Sequence, residues 1–180
     1  MKPWRSLLLL PWMWLTLSGL VSTQALPLDN GRRTFEKSPR LVRAATSFRS
    51  PDTPSTYFFS ITVPADAGEP LQSVSIVQQP NFESIKFFPK RSRAFIPARP
   101  DHPIAIAIQQ NTAQFSSLLV VFEELVPPGK TVIIALRARN PQYGGIYQFG
   151  ITAFPLGENS PGLYLGPARL QFALPGGRGL

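Results

Sequence analysis

The only imidazole in the chain is His102, in the proline-rich segment RPDHP, with Asp101 beside it. An Asp–His neighbour can orient an imidazole for base catalysis, but a hydrolase serine would need a glycine-flanked GxSxG turn, and none occurs. His102 is therefore expected on a surface loop. Soft metal sites lack ligands: the chain has no cysteine, and both methionines, Met1 and Met13, fall in the N-terminal leader. Neither Asp29-Asn30-Gly31 nor Glu158-Asn159 has the spaced oxygen ligands of a calcium loop, so no metal or cofactor is expected. Carboxylates remain. Glu123 and Glu124 are adjacent, which on a regular strand sends them to opposite faces. A glycosidase pair would have to form across the fold, with Glu158, Glu83 or Asp66 as the second member.

Positive charge is the stronger signal. Lys86, Lys90, Arg91, Arg93 and Arg99 fall within fourteen residues, around the corner PKRSR. Such a cluster either keeps a sheet edge soluble or docks an anionic partner. A second group, Arg32, Arg33, Lys37, Arg40, Arg43 and Arg49, lies in a polar, proline-punctuated stretch and reads as a solvated arm or a contact with an anionic surface. The segment RNPQYGGIYQFGITAFPLGE, with Tyr143, Tyr147, Phe149 and Phe154 among four glycines, has the texture of a base-stacking strand. No basic residue precedes the run at the spacing of an RNA-recognition octamer, which argues against nucleic acid.

These residues sit on an exported chain, to judge from its first 25. Lys2 and Arg5 precede an apolar run from Leu7 to Leu20, and small residues at Thr23 and Ala25 suit signal-peptidase cleavage after Ala25. The run is shorter than the roughly 20 residues of a membrane-spanning helix and contains Pro11, so no transmembrane anchor is expected after cleavage. Cleavage would leave 155 of 180 residues, with 16 basic and 10 acidic side chains and a formal charge of +6. That is one domain, large enough to bury a core without disulfide staples. The implied location is the periplasm, the cell surface or the medium, where nucleic acid is not a partner.

The expected organisation is a signal peptide at 1–25, a basic linker at 26–54 with a possible edge strand at 40–48, a β domain at 55–173 and a flexible tail at 174–180. Short apolar runs occur at 57–63, 73–78, 85–88, 94–96, 104–109, 117–122, 131–137, 146–154 and 169–172, and most of the 20 prolines and 13 glycines lie between them. Proline cannot donate to a ladder, so its placement marks strand ends. A single helical turn at PADAGEPLQS is the only helix expected. Eight or nine short strands with turns between them predict an all-β, antiparallel sandwich of Greek-key or immunoglobulin-like type.

Alternation assigns the faces of the last strands. Val132, Ile134, Leu136 and Ala138 share one side, opposite Thr131, Ile133, Ala135, Arg137 and Arg139; Tyr147, Phe149, Ile151 and Ala153 share another, opposite Gln148, Gly150 and Thr152. The aromatics are thus expected to point inward, in a hairpin whose Gly144 and Gly145 supply positive φ. Only the connection Asn140–Gly145 and the GENSPG loop stay free for contact, with Tyr143 as the candidate contact residue.

The stretches RLVRAATSF, YFFSITVPADAGEPLQSVSIVQ, AFIPA, VPPGKTVIIALRARNPQYGGIYQFGITAFPLGE and GLYLGPARLQF together resemble a family of short exported cyanobacterial proteins catalogued as a domain of unknown function, over Arg40 to Phe172. The resemblance implies an exported envelope β domain and brings no activity, cofactor or catalytic residue. Taken together, the sequence points to a non-catalytic binding or structural module. Its expected partner is an anionic envelope polysaccharide or an acidic envelope protein. The alternatives are a carboxylate-based hydrolase of envelope polysaccharide and an assembly subunit that pairs through the edge strand at 40–48.

Overall fold

The computed structural model describes residues 32–111 and 117–174. The leader, residues 26–31, the NTAQ turn beyond Asn111 and the tail from residue 175 lie outside the described residues. The described chain forms eleven strands: β1 Arg40–Thr46, β2 Pro54–Thr62, β3 Leu71–Gln78, β4 Lys86–Phe87, β5 Arg93–Phe95, β6 Pro103–Ile104, β7 Ile106–Asn111, β8 Ser117–Val126, β9 Thr131–Arg139, β10 Gly145–Pro155 and β11 Leu163–Phe172. The order β1-β2-β9-β5-β6, with β4 also on β9, makes sheet I, and β11-β10-β3-β8-β7 makes sheet II. Every pairing is antiparallel, as an immunoglobulin-like sandwich requires. The expected helical turn after Pro64 is absent, and the short 3-10 turn Pro89–Arg91 is the one helical element among the described residues.

Two expectations need correction. The run Ile104–Gln109 is not one strand: it breaks at Ala105, leaving β6 in sheet I and β7 in sheet II. This is one reason the strands number eleven and not eight or nine. The second concerns the supposed hairpin after Pro127. β9 pairs with β2, β4 and β5, whereas β10 pairs with β3 and β11, so the two strands belong to different sheets. Alternation could not reveal this, because strands that pair and strands that face one another across a core both show one apolar side. The side assignments themselves hold. Val132, Ile134, Leu136 and Ala138 are buried from sheet I, and Tyr147, Phe149, Ile151 and Ala153 from sheet II.

The aromatics join the sheets. Phe149 of β10 meets Phe59 of β2 edge-on at 5.8 Å between ring centroids, and Tyr57 and Phe87 at 6.3 Å each. Tyr57 also meets Phe172 of β11 at 5.5 Å, and within sheet II Phe172 meets Tyr147 at 5.6 Å in a T-shaped contact. Edge-to-face pairs of this kind add about 0.5–1.5 kcal/mol beyond the area they bury. The phenols need partners as well: Tyr57 donates to Asn140 Oδ1 at 3.1 Å, and Tyr147 donates to Glu83 Oε1 at 3.4 Å. Asn140, itself buried, donates from Nδ2 to the carbonyls of Phe48 and Ser50.

Residues ahead of β1 are attached to the sandwich. Phe35 packs on the core, Glu36 N donates to Ala67 O, and Arg33 and Lys37 pair with Glu69 and Asp66 at 3.1 and 2.8 Å. The Lys37 ammonium holds the exposed Asp66 carboxyl below its usual range.

Phe149 contacts three rings on the facing sheet, so Phe149→Ala should lower stability by about 3–5 kcal/mol, measurable as a shift in the urea midpoint. Alkaline pH should act on the phenols. Burial, with Glu83 adding to it, pushes Tyr147 up to about 12, and burial raises Tyr57 in the same direction. The unfolded chain therefore loses these protons first: stability should be full below the ordinary tyrosine value of 10.0 and fall as pH rises from there toward 12. In urea unfolding across that range, Tyr147→Phe should flatten the decline.

Candidate functional site, a cationic groove on sheet I

The groove arises where the chain interrupts its own ladder. β4 pairs with the end of β9 (Phe87↔Ala138), and β5 pairs farther along it (Arg93↔Ala135). Between them Pro89 has no N–H to offer, and Pro89–Arg91 turns out of the sheet as a 3-10 turn. The ladder is completed by a side chain. Phe88 N donates to Arg137 O at 2.8 Å, and Arg137 N donates to Ser92 Oγ at 3.1 Å. Ser92 Oγ in turn donates to Phe88 O at 3.1 Å, so one hydroxyl fastens the turn to β9.

This construction brings Arg91 and Arg93 beside Arg137. With Thr56, Phe58 and Ala135 they line a groove of about 280 Å³ on the outer face of sheet I. Arg137 donates from a guanidinium nitrogen to Thr56 Oγ1 at 2.7 Å, which sets its direction across the strands. No carboxylate lines the groove, and the ion pairs found among the described residues, Arg33–Glu69, Lys37–Asp66 and Arg139–Asp52, lie outside it. Arg93 also lies 5.7 Å from the Phe95 ring, and Lys86 lies 5.9 Å from the Phe88 ring. A neighbouring apolar hollow of about 530 Å³ is lined by Phe87, Phe88, Pro89, Lys90 and Arg91.

The structure thus gathers part of the expected basic cluster. Arg91 and Arg93 share the groove, Lys90 lies in the adjoining hollow, and Lys86 is exposed on β4 opposite Arg139. Arg99 is exposed in the loop after β5 and lines neither. Arg137 was missed as a site residue although its place on the polar side of β9 was legible; only pairing with the interrupted strand shows what stands beside it.

Tyr143 is 63% exposed and lines a cleft of about 640 Å³ with Asn81, Phe82, Gly144, Gly145, Ile146 and Leu174. Phe82, 95% exposed, escaped notice because it lies in a turn, where alternation says nothing. The loop is pinned: Asn81 Nδ2 donates to Ile146 O at 2.9 Å, and Tyr143 N donates to Glu83 Oε1 at 3.2 Å. Gly144 and Gly145 do have positive φ, +64° and +95°, but they serve a crossing between sheets. A Cβ on Gly144 would also collide with the Ala173 carbonyl oxygen.

The carboxylates are dispersed among other tasks. Glu83 accepts from Tyr143 and Tyr147, and Asp66 pairs with Lys37. Glu123 and Glu124 are both exposed, at the end of β8 where its pairing with β3 is irregular. Glu158, Asp101 and His102 are exposed. Among the described residues no three His, Cys, Asp or Glu side chains gather in a metal-binding group, and no helix is long and apolar enough to cross a membrane.

Comparison with known proteins gives a family and a set of folds. Residues 32–172 match the family described as "Protein of unknown function (DUF2808)", and the chain belongs to that family. No curated protein matches the chain. Among solved structures, an uncharacterized immunoglobulin-like protein from Nocardia farcinica is 14% identical, with 72% of this chain and 96% of that chain covered and a TM-score of 0.42. The collagen-binding domain of a Staphylococcus aureus adhesin is 8% identical, covering 72% and 93%, at 0.38. The collagen-binding subdomain of the Enterococcus faecalis surface protein ACE is 7% identical, covering 76% and 99%, at 0.42.

Since Ser92 supplies the acceptor for Arg137 N–H, Ser92→Ala should cost about 1–3 kcal/mol. Amide hydrogen exchange should locate the lost protection at Arg137 and in the Phe88–Ser92 turn.

Proposed function

We propose that this member of the DUF2808 family is a non-catalytic binding module, exported to the cell envelope by the leader at residues 1–25, that docks an anionic polymer on the outer face of sheet I. One observation carries this reading: Arg91, Arg93 and Arg137 converge in a groove that no carboxylate lines. Guanidinium groups suit sulfate, phosphate and carboxylate because their planar donors bind two oxygens at once. Lys90 and Lys86, on the same stretch of chain, extend the positive field, and the apolar hollow beside Arg91 can take the ring or methylene surface of a sugar polymer. An acidic polysaccharide fits this combination of charge and apolar wall better than a compact anion would. An acidic envelope protein is the second partner of suitable charge. The reading takes a cyanobacterial source from the resemblance seen in the sequence, as part of the same proposal.

The full protein should bind a sulfated polysaccharide at low salt and release it as salt rises, because exposed charges are screened within about 8 Å at physiological ionic strength. Replacing Arg91, Arg93 and Arg137 together by alanine should weaken binding at least tenfold, as measured by calorimetry or surface plasmon resonance. Arg49→Ala, in the loop after β1, should leave it unchanged. Salt-independent binding, or a triple variant that binds like the native chain, would show the groove is not the site.

A further inference from the structure

A sandwich has four sheet edges, and each exposes backbone donors and acceptors that can pair with another chain unless they are blunted. Three edges here carry such protection. β1 has Arg40 and Arg43, a register shift between Leu41 and Arg43, and β11 lying alongside it. β6 is two residues long and begins with Pro103. β11 contains Pro167 and Arg169 and shifts register near Gly166. The fourth edge, β7, is different. Its six residues, IAIQQN, include no charge, proline or glycine, and they pair with β8 without a register shift from Ile106↔Phe122 to Asn111↔Ser117. Among the described residues β8 is its only paired neighbour.

We propose that β7 is the edge through which two copies of this chain associate, antiparallel about a two-fold axis at Ile108, joining two five-stranded sheets into one of ten strands. The register follows from the pleat. Opposed residues in an antiparallel pair point to the same face, so the inward-facing Ile106 and Ile108 must meet even-numbered residues of the second copy. Centring the axis on Ile108 sets Ile108 against itself, Ile106 against the second copy's Gln110, and Ala107 against its Gln109 on the outer face. Ile106 and Ile108 are half-buried at the margin of the core, and this arrangement sets a second isoleucine over Ile108 and the methylene stem of a glutamine over Ile106.

The occupant is a second copy for two reasons. The chain carries a net charge of +8, and self-association at β1 or β11 would oppose arginines, whereas the uncharged β7 brings no like charges to the seam. A foreign strand would be chosen by charge or by side-chain pockets along the edge, and β7 offers no charge to choose by. The isologous contact needs only the sequence already present.

The test uses sedimentation velocity of the purified protein over a hundredfold concentration range, together with cysteine cross-linking. The chain has no cysteine, so an introduced one reports position without background. The native chain should form a dimer, and Ile108→Cys should oxidise readily to a covalent dimer while Arg43→Cys on β1 should not. Lysines at Ala107 and Gln109, both exposed, should abolish the dimer and, at a concentration low enough for the native chain to be monomeric, leave the urea midpoint within experimental error of the native value. A native chain that stays monomeric throughout, a dimer that survives the two lysines, or cross-linking at Arg43 in preference to Ile108 would overturn the proposal. The groove reading stands apart from these results, since β7 contributes none of the groove's residues.

Discussion

Without a cysteine anywhere in the chain, no disulfide ties one sheet to the other, and the fold depends on aromatic rings that mesh between them. Phe149 is the centre of that mesh, carried by sheet II and set in T-shaped contact with three rings of sheet I. Sheets in a sandwich stand about 10 Å apart, a gap that these rings fill together with the aliphatic side chains of both inner faces. The mesh also reaches the loops. Two of its members are tyrosines, and a buried hydroxyl without a partner is costly, so each is bonded to a residue that organises one end of the molecule. Tyr57 holds Asn140, which holds the chain at Phe48 and Ser50; Tyr147 holds Glu83, which also receives the backbone N–H of Tyr143. Core packing therefore dictates where the exposed loop around Tyr143 stands.

The cationic groove has the same kind of origin, a local backbone problem solved by a side chain. Pro89 cannot continue the ladder on β9, so the chain turns outward and Ser92 lends its hydroxyl to the orphaned Arg137 N–H. The consequence is electrostatic. Three arginines from two strands and a turn come to share one hollow, and the acidic residues that could neutralise them are occupied elsewhere, Glu69, Asp66 and Asp52 among them. Surface ion pairs contribute little to stability, about 0–1 kcal/mol each, and leaving these arginines unpaired costs the fold correspondingly little.

The groove lies on the outer face of sheet I, and the unprotected edge belongs to sheet II. The two surfaces use different residues, so polymer docking and self-association can operate together. A dimer would carry two grooves, and two weak charge-driven contacts on one polymer bind more tightly than one because the second is intramolecular.

Much was legible in the sequence alone, because strand chemistry is local. Period-two alternation assigned inner and outer faces to β9 and β10, proline placement marked most strand ends, and the missing cysteines required an apolar core of large side chains. Composition also put the basic cluster in and around the PKRSR corner. What the tertiary structure decided is partnership. Alternation says which way a side chain points and is silent about which strand lies beside it. The apparent hairpin of β9 and β10 is thus two strands in opposite sheets, and Ile104–Gln109 divides between sheets at Ala105. Arg137 joins Arg91 and Arg93 only because β9 pairs with an interrupted strand more than forty residues earlier. Side-chain direction is written in neighbouring residues, whereas sheet membership depends on which distant surfaces bury each other.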